Sequence, residues 1–134
     1  MARPLPVPTE DERAFWAGGA AGCLLVHRCR ACQRWFHPPA PVCPYCFDRE
    51  VGPEPVSGRA TVWAATVNHQ PWFPSLPPPY VVAIVELSEQ PGLRMLTNVV
   101  GCDPARVAPG MAVAVEFEPL ADEIWLPVFR PSAP

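Results

Sequence analysis

Cys29-Arg30-Ala31-Cys32, ten intervening residues, then Cys43-Pro44-Tyr45-Cys46: this stretch decides the fold. Two residues between cysteines let one tight turn bring both sulfurs to the same side of a metal ion. Two such turns supply the four corners of a tetrahedron, with zinc–sulfur bonds of about 2.3 Å. Residues 33–42 are then a short hairpin or loop that brings the knuckles together. Prolines at 38, 39, 41 and 44 stiffen it, because each fixes its own φ. Two disulfides would need an oxidising compartment, and no secretory signal is visible in the sequence. A redox Cys-x-x-Cys normally comes singly, at the start of a helix in a βαβ unit. The pattern therefore reads as a metal site holding Cys29, Cys32, Cys43 and Cys46. Four thiolates close the coordination sphere, so the expected role is structural. Iron suits the same ligands, and zinc is the preferred occupant.

The remaining composition limits what surrounds this site. The chain has 134 residues, enough for one domain or two small ones. Apolar residues make up 49%, while charged residues are only 17%, a shortage that suggests part of the surface is covered by something else. Twenty-one prolines disfavour long helices and break strands into short pieces. All ten basic residues are arginine and the net charge is −3, a poor balance for tracking a phosphate backbone, so no nucleic-acid partner is expected. No apolar run reaches the length of a membrane span, so no membrane partner is expected and the cytoplasm is the expected compartment. Cys23 and Cys102, left over from the knuckles, read as small apolar core residues.

Upstream of the site, residues 1–8 are proline-rich and read as extended. Thr9-Glu10-Asp11-Glu12 fits a capping box opening a short helix, which carries Phe15 and Trp16 and is expected to stop at Gly18-Gly19. Residues 23–27 read as a strand into the first knuckle. Trp35 and Phe36 are placed over the metal site or against the next domain, and residues 47–56 read as a connector. From Ser57 the texture is β, with strands expected over 59–69, 80–87, 93–100, 112–118 and 124–129 and a helical turn over 104–107. Five short antiparallel strands in so few residues fit a Greek-key OB barrel better than a two-sheet sandwich. The division expected is an N-terminal helical segment (1–21), a zinc ribbon (22–52) and a barrel (53–134), mainly β throughout.

The order of these parts resembles a known family. Its signature is Phe15-Trp16, Cys29-x-x-Cys32, Phe36 and Pro38 before Cys43-Pro44-x-Cys46. It continues with Gly58-x-Ala60-x-Val62-Trp63, Pro79-Tyr80-Val81-Val82-Ala83-x-Val85, Gly110-Met111-x-Val113 and Leu126-Pro127-x-Phe129. This is similar to the acyl-CoA-associated OB-fold proteins, which place a rubredoxin-like zinc ribbon ahead of an OB barrel. A family glycine expected near Ala60 is replaced. The resemblance implies a non-catalytic accessory subunit of a thiolase-fold enzyme. It would support assembly of the complex and help seat the acyl-CoA. Within that class the resemblance points to an aldolase or lyase cleaving a steroid side-chain CoA thioester. The alternatives are an accessory subunit of an acetyl-CoA acetyltransferase (thiolase) complex, or a zinc-ribbon/OB nucleic-acid-binding module.

The candidate contacts follow from residue chemistry. Arg28, Arg30 and Arg34 cluster around the first knuckle. Solvated charge is the ordinary reading, and guanidinium contacts to CoA phosphates the functional one. His27, His37 and His69 are isolated, and no nucleophile motif or phosphate loop is present, so the chain itself is expected to carry no catalytic residue. Phe15, Trp16, Trp72 and Phe73 sit on elements too short or too loop-like to bury them well. They are the expected partner interface, with burial in their own barrel the competing fate of Trp72 and Phe73.

Overall fold

The structure, a computed structural model, describes residues 3–132. Met1 and Ala2, the start of the expected extended segment, lie outside the described residues. Thr9 opens the helical segment, its N–H and Oγ1 both donating to the Glu12 carboxylate, at 3.1 and 2.8 Å. A 3-10 turn (Glu10–Glu12) leads into α1 (Arg13–Ala17), and a second 3-10 turn (Gly18–Ala21) ends at Gly22 with φ +69°.

The α-helix stops at Ala17 with Gly18 as its C-cap, as expected, and the 3-10 turn carries the segment on to Gly22. Gly19 also serves close approach. A Cβ there would lie 2.4 Å from Trp125 Cβ and 2.7 Å from Phe117 Cδ1. The missing side chain lets the helical segment sit directly on the last two barrel strands.

Three strands form the ribbon sheet, in the order β2-β1-β3: β1 (Leu25–Cys29), β2 (Trp35–Phe36) and β3 (Val51–Pro55). Residues 47–56 are therefore not simply a connector. β3 pairs with β1 over five positions, from Leu25 opposite Pro55 to Cys29 opposite Val51. Pro53 and Pro55 hid this strand, but an edge strand tolerates proline where no ladder N–H is needed.

The barrel holds β4 (Arg59–Asn68), β5 (Tyr80–Leu87), β6 (Arg94–Val99), β7 (Ala112–Ala121) and β8 (Ile124–Pro131). It closes in the order β4-β5-β6-β8-β7, with β7 returning to β4. The β6–β8 contact is parallel and the rest antiparallel, the strand order of an OB barrel. Alternation puts Val81, Ala83, Val85 and Leu87 of β5 inside, all near 1% exposed. The side chain of Gln90 ties the ribbon to the barrel. Its Oε1 accepts from Trp35 N–H and its Nε2 donates to Trp35 C=O, both at 2.9 Å. Phe15, Leu24, Val26 and Trp35 belong to the same buried cluster as the barrel interior.

A methyl group at position 19 has nowhere to go, since both neighbours are packed against the helix. Gly19→Ala is expected to destabilise the chain by about 1–3 kcal/mol, the usual cost of overpacking. Gly92→Ala gives the comparison: its Cβ would meet nothing within 4 Å, and only its positive φ opposes the change. Denaturant midpoints of the two variants check this.

Candidate metal centre and apolar groove

The two knuckles fold alike. Gln33 N–H donates to Cys29 C=O at 2.9 Å, and Phe47 N–H donates to Cys43 C=O at 3.0 Å. One residue further on, the chain returns on itself: Cys29 N–H donates to Arg34 C=O and Cys43 N–H to Asp48 C=O, both at 2.9 Å. Each turn needs a left-handed residue directly after its second cysteine. Gln33 and Phe47 supply it, with φ of +70° and +65°. Neither is glycine, so each conformation is held against a local cost.

The sulfurs converge. All four Sγ atoms lie within 4.8 Å of one another, with Cys29–Cys46 at 3.6 Å and Cys32–Cys43 at 3.7 Å. A disulfide would need about 2.05 Å, and all six cysteines are free. A tetrahedron with metal–sulfur bonds of ~2.3 Å has edges of ~3.8 Å, so the cluster is the size of a four-thiolate zinc site. Backbone N–H groups of Cys32 and Tyr45 point at Cys29 and Cys43 Sγ, each at 3.4 Å.

Full ionisation of the cluster is opposed by its own charge. Burial opposes ionisation of Cys43, yet the N–H groups of Cys46 and Tyr45 and the neighbouring thiols bring it down to about 7. At Cys46 the backbone N–H of Asp48 favours the thiolate, but burial and the three other sulfurs outweigh it and push the thiol up to about 12. The cluster does not hold four negative charges unaided. A divalent ion removes that repulsion, and its binding is coupled to folding of the knuckles.

The three arginines do not form a common clamp. Arg28 is engaged: its Nε donates to Gln33 C=O at 2.9 Å, its Nη1 is 3.7 Å from Glu54, and its guanidinium lies over Trp35. Arg34 stacks 4.8 Å from the Tyr45 ring centroid, and Arg30 covers Gly52. Arg30 and Arg34 are exposed and have no carboxylate partner among the described residues.

The expected aromatic pairs split. Phe15 is 7% exposed and packs on Trp16 and His37, so its burial needs no partner. Trp72 is 68% exposed, its Nε1 donating to Asn68 Oδ1 at 3.0 Å. Trp16 and Phe73 share a groove instead. They line an apolar groove of about 400 Å³ together with Leu5, Leu76, Leu120 and Leu126. Arg3 holds the N-terminal wall of this groove by bonding Glu118 and Asn98. The groove draws on four distant stretches of chain, which is why sequence order gave no sign of it.

Of the histidines, His69 is exposed at the end of β4. His27 is buried on β1 with its ring 5.6 Å from Phe36, and burial lowers its pKa. His37 lies against Phe15, and its Nδ1 is buried without a hydrogen-bond partner. Burial first, and nearby His27 second, lower its pKa from 6.5 to about 4.

The chain matches two family descriptions: "ChsH2, rubredoxin-like zinc ribbon domain" over residues 16–52, and "ChsH2, C-terminal OB-fold domain" over residues 53–118. It is 40% identical over 133 residues to a probable enoyl-CoA hydratase alpha subunit of Thermomonospora curvata, covering 98% of this chain and 41% of that one. It is 40% identical over 114 residues to the 3-oxo-4,17-pregnadiene-20-carboxyl-CoA hydratase alpha subunit of Mycobacterium tuberculosis, covering 84% of this chain and 35% of that one. The chain therefore spans well under half the length of these two relatives. A DUF35 domain-containing scaffold protein of Methanocaldococcus jannaschii is 33% identical over 103 residues, covering 75% of this chain and 72% of that one. Among solved structures, a chain of the Ltp2-ChsH2(DUF35) aldolase superposes with a TM-score of 0.86 at 36% identity. That match covers 96% of this chain and all of that chain.

Two measurements follow from this geometry. The chain is expected to carry one zinc by elemental analysis, and Cys43→Ser to lose the metal together with the ribbon fold; a metal-free chain with a native ribbon would contradict the site. The second concerns acid. His37 has a folded pKa below its unfolded value, so its neutral form is favoured by folding. Stability is full above about 6.5 and falls as pH drops from 6.5 towards 4, by an amount on the order of 3 kcal/mol. His37→Leu should flatten that part of the pH–stability curve relative to the unsubstituted chain, with metal loss common to both.

Proposed function

The chain belongs to the DUF35 family, with its ChsH2-type zinc ribbon and OB-fold domains, and from that membership we propose that it is an accessory subunit of a thiolase-like acyl-CoA-processing complex. The supported enzyme is an aldolase or lyase that cleaves a steroid side-chain CoA thioester. The observation that carries this reading is the match, along nearly the whole chain, to a chain of the Ltp2-ChsH2(DUF35) aldolase. The Mycobacterium tuberculosis relative, named for a pregnadiene carboxyl-CoA, supports the substrate class.

The chain's own chemistry supports the division of labour. Four thiolates sharing one ion leave no open coordination position for substrate. The apolar groove offers mainly walls: it is lined by prolines, leucines, Trp16 and Phe73, with Arg3 tied to Glu118, and its one hydroxyl, Ser75, has no histidine or carboxylate beside it in the lining to act as a base. What the chain contributes is surface. The thiolase-fold partner supplies the nucleophile and base, and this subunit braces it and seats the acyl-CoA. Arg30 and Arg34, the two arginines near the first knuckle free of carboxylates among the described residues, are the groups for CoA phosphate contact. Guanidinium geometry suits phosphate oxygens.

The test is reconstitution. Cleavage of a steroid side-chain CoA thioester is expected only when this chain and its thiolase-fold partner are combined. Equal rates from the isolated chain would refute the accessory role. Within the complex, Trp72 and Phe73 are the proposed anchors. Interfaces concentrate their energy in a few buried aromatics, and these two are 68% and 49% exposed in the free chain. Trp72→Ala or Phe73→Ala is expected to weaken assembly by about 2 kcal/mol and leave zinc content unchanged. Unchanged affinity in both variants would move the interface to the ribbon or to the helical segment.

A further inference from the structure

Strand β4 is paired with β5 from Ala60 to Asn68, but β7 covers its other side only at Arg59, Ala60 and Thr61. Val62 extends that cover by one residue: its N–H donates to Met111 C=O at 2.9 Å, and its C=O accepts from Gly110 N–H at 2.8 Å. Past the bulge between Val62 and Ala64 the cover ends. Among the described residues, no hydrogen bond reaches this side of the backbone over residues 64–67.

Alternation decides which groups are left open. Val62 turns its backbone polar groups away from β5. Beyond the one-residue bulge, Ala65 and Val67 do the same, while Ala64 and Thr66 face β5. The edge therefore presents two N–H and two C=O groups, spaced evenly about Thr66. Sheet edges are normally guarded by lysine, proline, inward charge or a covering loop. Residues 60–69 contain no proline and no Asp, Glu, Lys or Arg. Ala65 and Thr66 are exposed. Two charges on neighbouring strands are engaged elsewhere: Arg94 lies 3.9 Å from the Trp63 ring centroid and bonds Glu86 at 3.2 Å.

We propose that this edge pairs antiparallel with the same edge of a second copy, about a two-fold axis through Thr66. The open groups are self-complementary under a two-fold rotation, and residues 60–69 carry no Asp, Glu, Lys or Arg that a second copy would repel. Ala65 of one copy falls opposite Val67 of the other, so both residues exchange both hydrogen bonds, four across the axis. The two Thr66 side chains face each other at the non-hydrogen-bonded position, a favourable cross-strand pair. Charge agrees: Ala64 meets Asn68 and Trp63 meets His69, so no like charges are opposed. An interface built on seven residues a side is small by the standard of stable dimers. The pairing is therefore concentration-dependent. It does not rest on the acyl-CoA reading, since the occupant is this chain alone.

Light scattering on the zinc-loaded chain, from micromolar to near-millimolar, tests this. The mass is expected to rise from 14.7 kDa towards twice that value. Thr66→Lys and Thr66→Glu should each stay at the single-chain mass, because like charges then meet at the axis. An equimolar mixture of the two should regain the doubled mass. Ala65→Pro, which removes an outward N–H without costing a β5 bond, should also stay single. Thr66 is exposed, so the charged variants keep the fold, and their zinc content verifies it. A single-chain mass for the unsubstituted protein at every concentration would overturn the proposal. So would a doubled mass that persists in both charged variants, or a mixture that remains single.

Discussion

Four thiols within 4.8 Å of one another are the constraint on which the rest of the ribbon depends. Without a cation they resist shared ionisation, as the opposite displacements of Cys43 and Cys46 show. With one, each knuckle is locked in a turn that its own residues do not favour. Gln33 and Phe47 occupy left-handed backbone that glycine would take more readily. The metal site also ends β1 at Cys29, and β1 carries Val26 into the common core, with Leu24 just ahead of it. Metal binding is thereby coupled to the packing of residues well away from the sulfurs.

That coupling reaches the barrel by two routes. One is apolar, through Trp35, Leu24 and Phe15 in the core cluster. The other is polar and local. Gln90, in the turn after β5, presents an amide that satisfies both backbone groups of Trp35, as another strand would. A carboxylate there could accept but not donate, and an alkyl chain could do neither. The helical segment closes the third side, where Gly19 allows contact with Phe117 and Trp125. Ribbon, helix and barrel therefore present their surfaces in fixed relation.

The parts legible in the sequence were those governed by short-range rules. Cysteine spacing announced the tetrathiolate, and alternation announced the barrel strands nearly to their ends. Two local features show one residue type in two uses, and one of them was misread. Gly18-Gly19 does end the α-helix, and Gly19 is in addition a packing glycine. Pro53 and Pro55 looked like a linker, but the edge of a sheet accepts them. The groove was not legible at all, since Leu5, Trp16, Phe73, Leu120 and Leu126 meet only after the barrel closes. No periodicity encodes that meeting. The aromatic pairs were legible as residues in need of cover, not as residues with one shared fate.

The scarcity of charge becomes intelligible when mapped onto the fold. Trp63, Trp72, Phe73 and Leu96 are each about half exposed or more, and the stretch joining them holds few charges. Carboxylates that might have solvated this region are paired: Glu86 with Arg94, Glu118 with Arg3, Glu116 with Arg130. Exposed ion pairs add little stability individually. Their effect here is to keep charge in defined places. A protein working alone in water gains nothing from such a surface, because large exposed apolar patches favour association. A subunit held against others does gain, since burial of exposed apolar side chains is the main favourable term in assembly. Glu86, Glu116 and Glu118 are thus confined to defined pairs, while four converging thiols hold one module and barrel closure the other.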